Sequence, residues 1–257
     1  SSRRSRRSPP GITSGTGSQR RTIAVRADTK PHSFTFDNYV TALTTLPTLQ
    51  WAVNSVAVSV ASVLLSTALA VLASYAIVFG RFRGRSILVS TSIAFIMVPP
   101  VVLLLPMFIT MLNLGLLNNL LSVIIFYACL LVPFSVFFLA NFFRSVPAEL
   151  VESCTVDGSG PLRTLWSVVL PLARPALLTL VIVNAIWAWN ELLIALVFLQ
   201  SESQRTLMAG MTLLQGRYVT DQPLVLAVGV LSIIPVAIFY FASQRSFVRG
   251  LTAGIGK

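Results

Sequence analysis

From Trp51 onward the chain alternates long apolar stretches with short polar ones. Five stretches, Trp51–Phe79, Ser86–Leu112, Leu116–Phe143, Ala176–Leu199 and Pro223–Ser243, carry no charge except Glu191. Each is long enough to cross a hydrocarbon core of about 30 Å as a helix, some with tilt to spare. The pattern predicts an all-α, polytopic membrane helix bundle with five visible spans. Pro99, Pro100, Pro106, Pro133 and Pro235 fall inside these stretches. In water they would argue against helix. In a bundle, neighbours satisfy the freed carbonyls, so kinked or broken spans are expected, with Met97–Pro100 as a break. Ser55, Ser59, Ala61, Ser62 and Ser66 are small enough to let helices approach the first span closely.

Composition agrees. The chain is 55% hydrophobic and 11% charged, with a mean hydropathy of +0.81. A soluble domain averages about 25% charged residues, and this chain has too few to cover a water-facing surface. The net charge of +11 raises nucleic acid as a partner. Its distribution excludes that reading. Eight of the nineteen basic residues lie between Arg3 and Lys30, the rest are scattered over short loops, and most of the aromatics sit inside the apolar runs. No basic-aromatic surface of the kind that binds single strands results. Cys129 and Cys154 have no metal-ligand spacing and form no disulfide framework.

Two regions follow: a disordered, basic tail over residues 1–33, rich in Ser, Gly, Pro and Arg, and a transmembrane domain over 34–257. The tail holds His32, the single histidine, which is expected to be inert. Loop basicity gives orientation. Gly80–Arg85, Arg144–Arg174 and the tail after Ser243 carry three basic residues each, against none at Asn113–Gly115 and two in Gln200–Gln222. The richer loops and the C-terminus are expected in the cytoplasm. Five spans would then put the very basic N-terminus outside. The chain starts on Ser1 and lacks a signal peptide's apolar region, which leaves two readings: a processed, truncated or mis-assigned start with a first span missing upstream, or a long N-tail that crosses despite its charge.

The loop 144–175 is the polar exception among greasy neighbours. Pro147 suits a first helical turn, and Ala148–Asp157 follows, with Leu150, Val151, Cys154 and Val156 opposite Glu149, Glu152 and Asp157. Gly158 suits a left-handed helix end. Ser159 is a candidate N-cap and Pro161 a second helix start, with Leu162, Leu165, Trp166 and Val169 as its apolar face. Pro171 and Pro175 are expected to bend the chain back towards the membrane. A short helix, a glycine elbow and a second short helix make a good shape for a groove on another protein. An amphipathic loop lying on lipid headgroups is the other reading of the same residues.

Those residues carry a resemblance. Glu152-Ser153-Cys154-Thr155-Val156-Asp157-Gly158-Ser159, then Leu170-Pro171-Leu172-Ala173-Arg174-Pro175, is similar to the EAA loop of ABC importer permeases. There a glutamate and two alanines lead to Asp-Gly-Ala and then Leu-Pro-Leu-x-x-Pro. The chain departs at Ser153, Cys154 and Ser159, where alanine is usual. "FTFDNY" at 34–39, Asn54-Ser55, Tyr75-Ala76, Met97–Pro99, "WNE" at 189–191 and "QRSFVRGLTAG" at 244–254 extend the likeness to the maltose-type carbohydrate branch. It covers Phe34 to Lys257 and departs again in the missing first span and in the ending "GIGK".

The resemblance implies a permease subunit that passes a sugar or related solute. Its partners would be an ATP-binding subunit, a second permease, with a heterodimer favoured, an extracytoplasmic solute-binding protein and membrane lipid. Glu152, Asp157, Gly158, Ser159 and Leu162 would dock the ATPase, and the tail after Gln244 would touch it or anchor in the interface. No G-x-x-x-x-G-K-[ST] occurs, so the chain is expected to be no enzyme and to need no cofactor, with ATP hydrolysed on the partner. Met97, Trp189, Asn190 and Glu191 are candidates for the substrate pathway. A sole ionisable residue in a span is a candidate by default. Glu191 has three readings: substrate contact, a structural or gating role, or an ion or proton relay. The relay would make the protein a secondary transporter. A membrane enzyme lacks a nucleophile–base pair here.

Overall fold

The computed structural model describes residues 37–44, 46–80, 82–217 and 222–253, and every element among them is helical. The order is α1 (Asp37–Thr44), α2 (Thr48–Phe79), α3 (Arg85–Ile96), α4 (Pro100–Asn113), α5 (Leu120–Phe143), α6 (Ala148–Val156), α7 (Pro161–Thr164), α8 (Leu170–Asn190), α9 (Leu193–Phe198), α10 (Leu207–Arg217) and α11 (Gln222–Ala253). A π turn, Leu165–Val169, joins α7 to α8, and a 3₁₀ turn covers Glu202–Gln204. The N-terminal tail 1–33 lies outside the described residues.

Among the described residues, three units are long and apolar enough to cross a membrane: α2, α5 and the continuous rod Pro161–Asn190. The α3–α4 pair makes a fourth if its 99° bend is counted within one span. α11 carries a shorter apolar stretch, Pro223–Ile238. The bend falls at the expected place. Pro99 is extended (φ −62°, ψ 132°) and Pro100 opens α4. A residue before proline is pushed out of helix, and Pro100 has no N–H to continue the ladder.

α2 and α5 form the most extensive helix pair. Ser55, Ser59, Ser62, Ser66, Ala70 and Ser74 recur at helical spacing on the buried face of α2. Such small side chains let two backbones approach where there is no hydrophobic drive between helices in lipid. Ser74 Oγ donates to the Val136 carbonyl across that seam at 3.0 Å. Ala61, the fifth small residue of the predicted set, is only half-buried, at the margin of the face. Asn184 ties α8 to α5 through Ser135 Oγ at 2.9 Å, a fully buried polar pair.

Two cores lie along α5. Its first half packs Val123, Phe126 and Tyr127 against Ile194, Ala195 and Phe198. Its second half packs Val136, Leu139 and Phe143 against Val151, Leu165 and Val169.

Three expectations are corrected. The stretch Ala176–Leu199 is not one helix, because α8 ends at Asn190, Glu191 is extended and α9 restarts at Leu193. Pro171 and Pro175 do not turn the chain back. They lie within the first turns of α8, and the second short helix is the beginning of the rod. A π turn immediately before Pro171, in which the Leu170 N–H reaches the Leu165 carbonyl, widens the helix where a proline cannot donate. Leu116–Asn119 is a loop, and Asn119 caps α5 by accepting the Leu121 N–H at 2.9 Å.

Candidate functional site

The first site is the elbow between α6 and α7. α6 ends in a Schellman motif: Ser159 N–H donates to the Cys154 carbonyl and Gly158 N–H to the Thr155 carbonyl. Gly158 sits at φ +78°, where a side chain is strained, and nothing lies within 4 Å of the place a Cβ would occupy. Ser159 is not the N-cap of the next helix. Gly160 holds that position, extended, with Pro161 as the first residue of α7. Ser159 instead closes the preceding helix through its backbone.

The apolar stripes predicted for the elbow split in two. Val151, Leu165 and Val169 are buried against α2 and α5. Val156 is 88% exposed, Leu162 62% and Trp166 70%. Glu152 and Asp157 are exposed beside them. One set of side chains therefore holds the elbow to the bundle, and the other presents an apolar surface edged by carboxylates. Five predicted docking residues, Glu152, Asp157, Gly158, Ser159 and Leu162, come together here on one short projection.

The second site is the break at Glu191. The carboxylate accepts the Tyr127 hydroxyl at 2.6 Å and the Ile194 N–H at 3.1 Å. It thereby caps α9, whose first N–H groups have no helical partners. Tyr127 is fully buried and packs edge-on against Trp187, with ring centroids 5.4 Å apart. Trp189 is also committed to packing: it is buried, and its Nε1 donates to the Ser232 carbonyl of α11 at 3.2 Å. Asn190 is exposed and donates to Ile186 of its own helix at 2.8 Å. Met97 is 79% exposed on the α3–α4 elbow and takes no part in the contacts around Glu191.

The elbow and the Glu191 break lie at opposite ends of the same rod, so they are two sites. Sixteen residues of α5 separate Tyr127 from Phe143, about 24 Å of helix. Sequence reasoning missed Tyr127. The available signal was that it is the one tyrosine in its apolar run, and a buried phenol needs a partner. It also gave Asn54 no structural role and Ser55 only that of a small packing residue. Asn54 Nδ2 donates to the carbonyls of Ser203 at 2.8 Å and Arg205 at 3.0 Å, and Ser55 Oγ accepts the Leu207 N–H at 2.7 Å. Together they fasten the connection after α9 to the start of α2. The predicted C-terminal contact, after Gln244, falls on side chains outside the described set. Among the described residues no cluster of His, Cys, Asp or Glu could hold a metal.

Comparison with known proteins agrees with this architecture. Residues 66–253 match the family described as binding-protein-dependent transport system inner membrane component. The sulfoquinovosyl glycerol transport system permease protein SmoH of Agrobacterium fabrum is 36% identical over 87% of this chain and 79% of its own length. The arabinooligosaccharides transport system permease protein AraQ of Halalkalibacterium halodurans is 31% identical over 87% and 80%. Among solved structures, a bacterial ABC transporter involved in import of the acidic polysaccharide alginate superimposes with a TM-score of 0.71. The two are 28% identical, over 84% of this chain and 81% of that one. The elbow, the broken helices and these matches lead to one conclusion: the chain belongs to the inner membrane components of binding-protein-dependent transport systems, the permease subunits of ABC importers.

Proposed function

We propose that the chain is one half of the translocation pathway of a carbohydrate importer, with 34–257 as its permease domain. The cargo class rests on relatives whose names give sulfoquinovosyl glycerol and arabinooligosaccharides. The elbow faces the cytoplasm, with the C-terminus on the same side, and docks an ATP-binding subunit that performs the hydrolysis. A second, different permease completes the pathway, and an extracytoplasmic binding protein delivers the solute.

The observation that carries this reading is the two-sided elbow. Val156, Leu162 and Trp166 are exposed to a partner while Leu165 and Val169, on the same helix, are buried in the bundle. α7 is also the first turn of the rod that ends at Asn190, 30 residues or about 45 Å later. Movement of the docked ATPase would therefore act directly on a span. The rod stops at Glu191, whose carboxylate holds the next helix and Tyr127, so force would arrive at a hydrogen-bonded joint. A docking contact shifts the transporter only if it differs between the two states, and an elbow that follows the closing ATPase pair meets that condition.

Glu191 is read as this joint. Its oxygens already serve Tyr127 and the α9 N-terminus, which leaves a relay without an observation in its favour. Purification of the tagged chain from its native membrane in gentle detergent, with mass spectrometry of what accompanies it, tests the assembly. An ATP-binding subunit and a second permease are expected. A chain recovered alone in repeated preparations refutes the proposal.

A further inference from the structure

A cleft lies at the elbow's end of the bundle, beside the residues that anchor the elbow, where α2 ends, α3 begins and α5 ends. It has a volume of about 320 Å³, within the roughly 300–1,000 Å³ of small-molecule sites. It is lined by Arg85, Arg144, Ser86 and Ser90 together with Ile77, Val78 and Val89. We propose that this cleft holds the phosphate headgroup of an anionic membrane lipid.

The charges are the first argument. Two guanidiniums line one cleft, and among the described residues no carboxylate pairs with either. Arg144 has one bond, from Nη1 to Asn141 Oδ1 at 3.2 Å, which orients it and leaves its other donors unused. Like charges gathered without an anion repel, and a guanidinium fork matches phosphate oxygens bidentately. Ser86 and Ser90 lie one helical turn apart on α3 and add hydroxyl donors on the same wall.

Depth is the second argument. The cleft sits at the ends of apolar helices, the level at which headgroups lie, and basic pockets between spans are known headgroup sites. Beside it α3 has no buried residue, and Ile87 and Leu88 stand exposed where acyl chains would run. A soluble phosphate would use the arginines but not this flank. A lipid uses both, so the lipid is the better fit.

The test uses the assembled transporter in phosphatidylcholine nanodiscs with a minor fraction of phosphatidylglycerol, ejected into a native mass spectrometer. The intact complex should retain phosphatidylglycerol in preference to phosphatidylcholine. The double change Arg85→Gln and Arg144→Gln should lower that preference about 30-fold, since each basic residue near an anionic surface contributes about fivefold. Lysine at both positions should keep most of it. If the glutamine protein does not assemble, Ser86→Leu with Ser90→Leu fills the cleft with both charges in place and should also lose the lipid. Equal retention by wild type and variants would overturn the proposal. So would displacement of the lipid by glycerol phosphate, which would make this a soluble-phosphate site. Retention that appears only after the ATP-binding subunit is stripped off would assign the arginines to that subunit and end the lipid reading.

Discussion

The hydroxyl of Tyr127 on α5 donates to the carboxylate of Glu191, which ends α8, at 2.6 Å. The same carboxylate accepts the Ile194 N–H at 3.1 Å, so one side chain joins three helices. Its location at a helix break explains why an acid survives inside an apolar run. A carboxylate in low dielectric is costly unless hydrogen-bonded, and here the donors come from a buried phenol and the unpaired first turn of α9.

A joint of this kind predicts a particular pattern of mutant effects. Glu191→Gln keeps an acceptor for Tyr127 and for Ile194, so sugar uptake should persist close to the wild-type rate. Glu191→Ala removes both the cap, worth about 0.5–2 kcal/mol, and the acceptor of the buried Tyr127 hydroxyl, so it should cost more than loss of the phenol bond alone. Tyr127→Phe should cost about 1.5–3 kcal/mol, as expected for a hydrogen bond to a charged group. Uptake by whole cells and thermal melts of the purified complex read both quantities. Complete loss of transport in Glu191→Gln, with the complex intact, would return the ion-relay reading to contention.

The elbow glycine allows a separation of backbone from bulk. Gly158 is at φ +78°, and asparagine is the side-chain-bearing residue most tolerant of that region. Gly158→Asn should keep the Schellman turn while adding bulk towards the ATPase. Gly158→Val should break the turn as well. Both should reduce sugar-stimulated ATP hydrolysis, but only the valine should alter the circular dichroism melt. Normal coupling in Gly158→Asn would mean that the partner does not approach the backbone there.

Much of this architecture is readable from residues alone, and the failures have physical causes. The α3–α4 break follows from two adjacent prolines, because the restriction on the residue before proline is local. The left-handed end at Gly158 is local in the same way. The passage of α8 through Pro171 and Pro175 is not. It depends on a π turn that shifts the hydrogen-bond ladder by one residue just upstream, and no side-chain pattern announces that. The split of Leu162 and Trp166 from Leu165 and Val169 depends on which face α2 and α5 cover. Tyr127 and Glu191 are 64 residues apart in sequence, and only the fold brings them together.

That split gives the elbow's two faces opposite mutant signatures. Trp166 is 70% exposed, so Trp166→Ala should change the stability of the isolated permease by no more than about 0.5 kcal/mol. An aromatic anchor in an interface costs about 2 kcal/mol or more on truncation, so ATPase binding should weaken about 30-fold. Leu165 is fully buried, and Leu165→Ala should cost about 2–5 kcal/mol of stability. Melting curves beside a binding titration with the ATP-binding subunit decide it. A Trp166→Ala protein that melts early yet binds normally would place this ring in the permease core.

Asn118 offers a similar separation at the far end of the rod. It is the one non-glycine residue with positive φ, +59°, among the described residues. Its Oδ1 accepts the N–H of Gln200 at 3.1 Å, the N–H of Ser201 at 2.8 Å and the Ser201 hydroxyl at 2.7 Å. Its own N–H donates to the Phe198 carbonyl at 2.9 Å. Asn118→Gly keeps the backbone conformation and the last bond but deletes the three that hold the chain after α9. At about 1 kcal/mol each, less what water replaces, roughly 2 kcal/mol of local stability should disappear. Amide exchange over residues 199–206 should then accelerate about 30-fold, while α5 and α8 keep their protection. Acceleration spread over the whole bundle would mean instead that Asn118 contributes to global stability. Unchanged exchange would show that the bond from Trp51 Nε1 to the Glu202 carbonyl, at 2.7 Å, and those of Asn54 hold this connection without it.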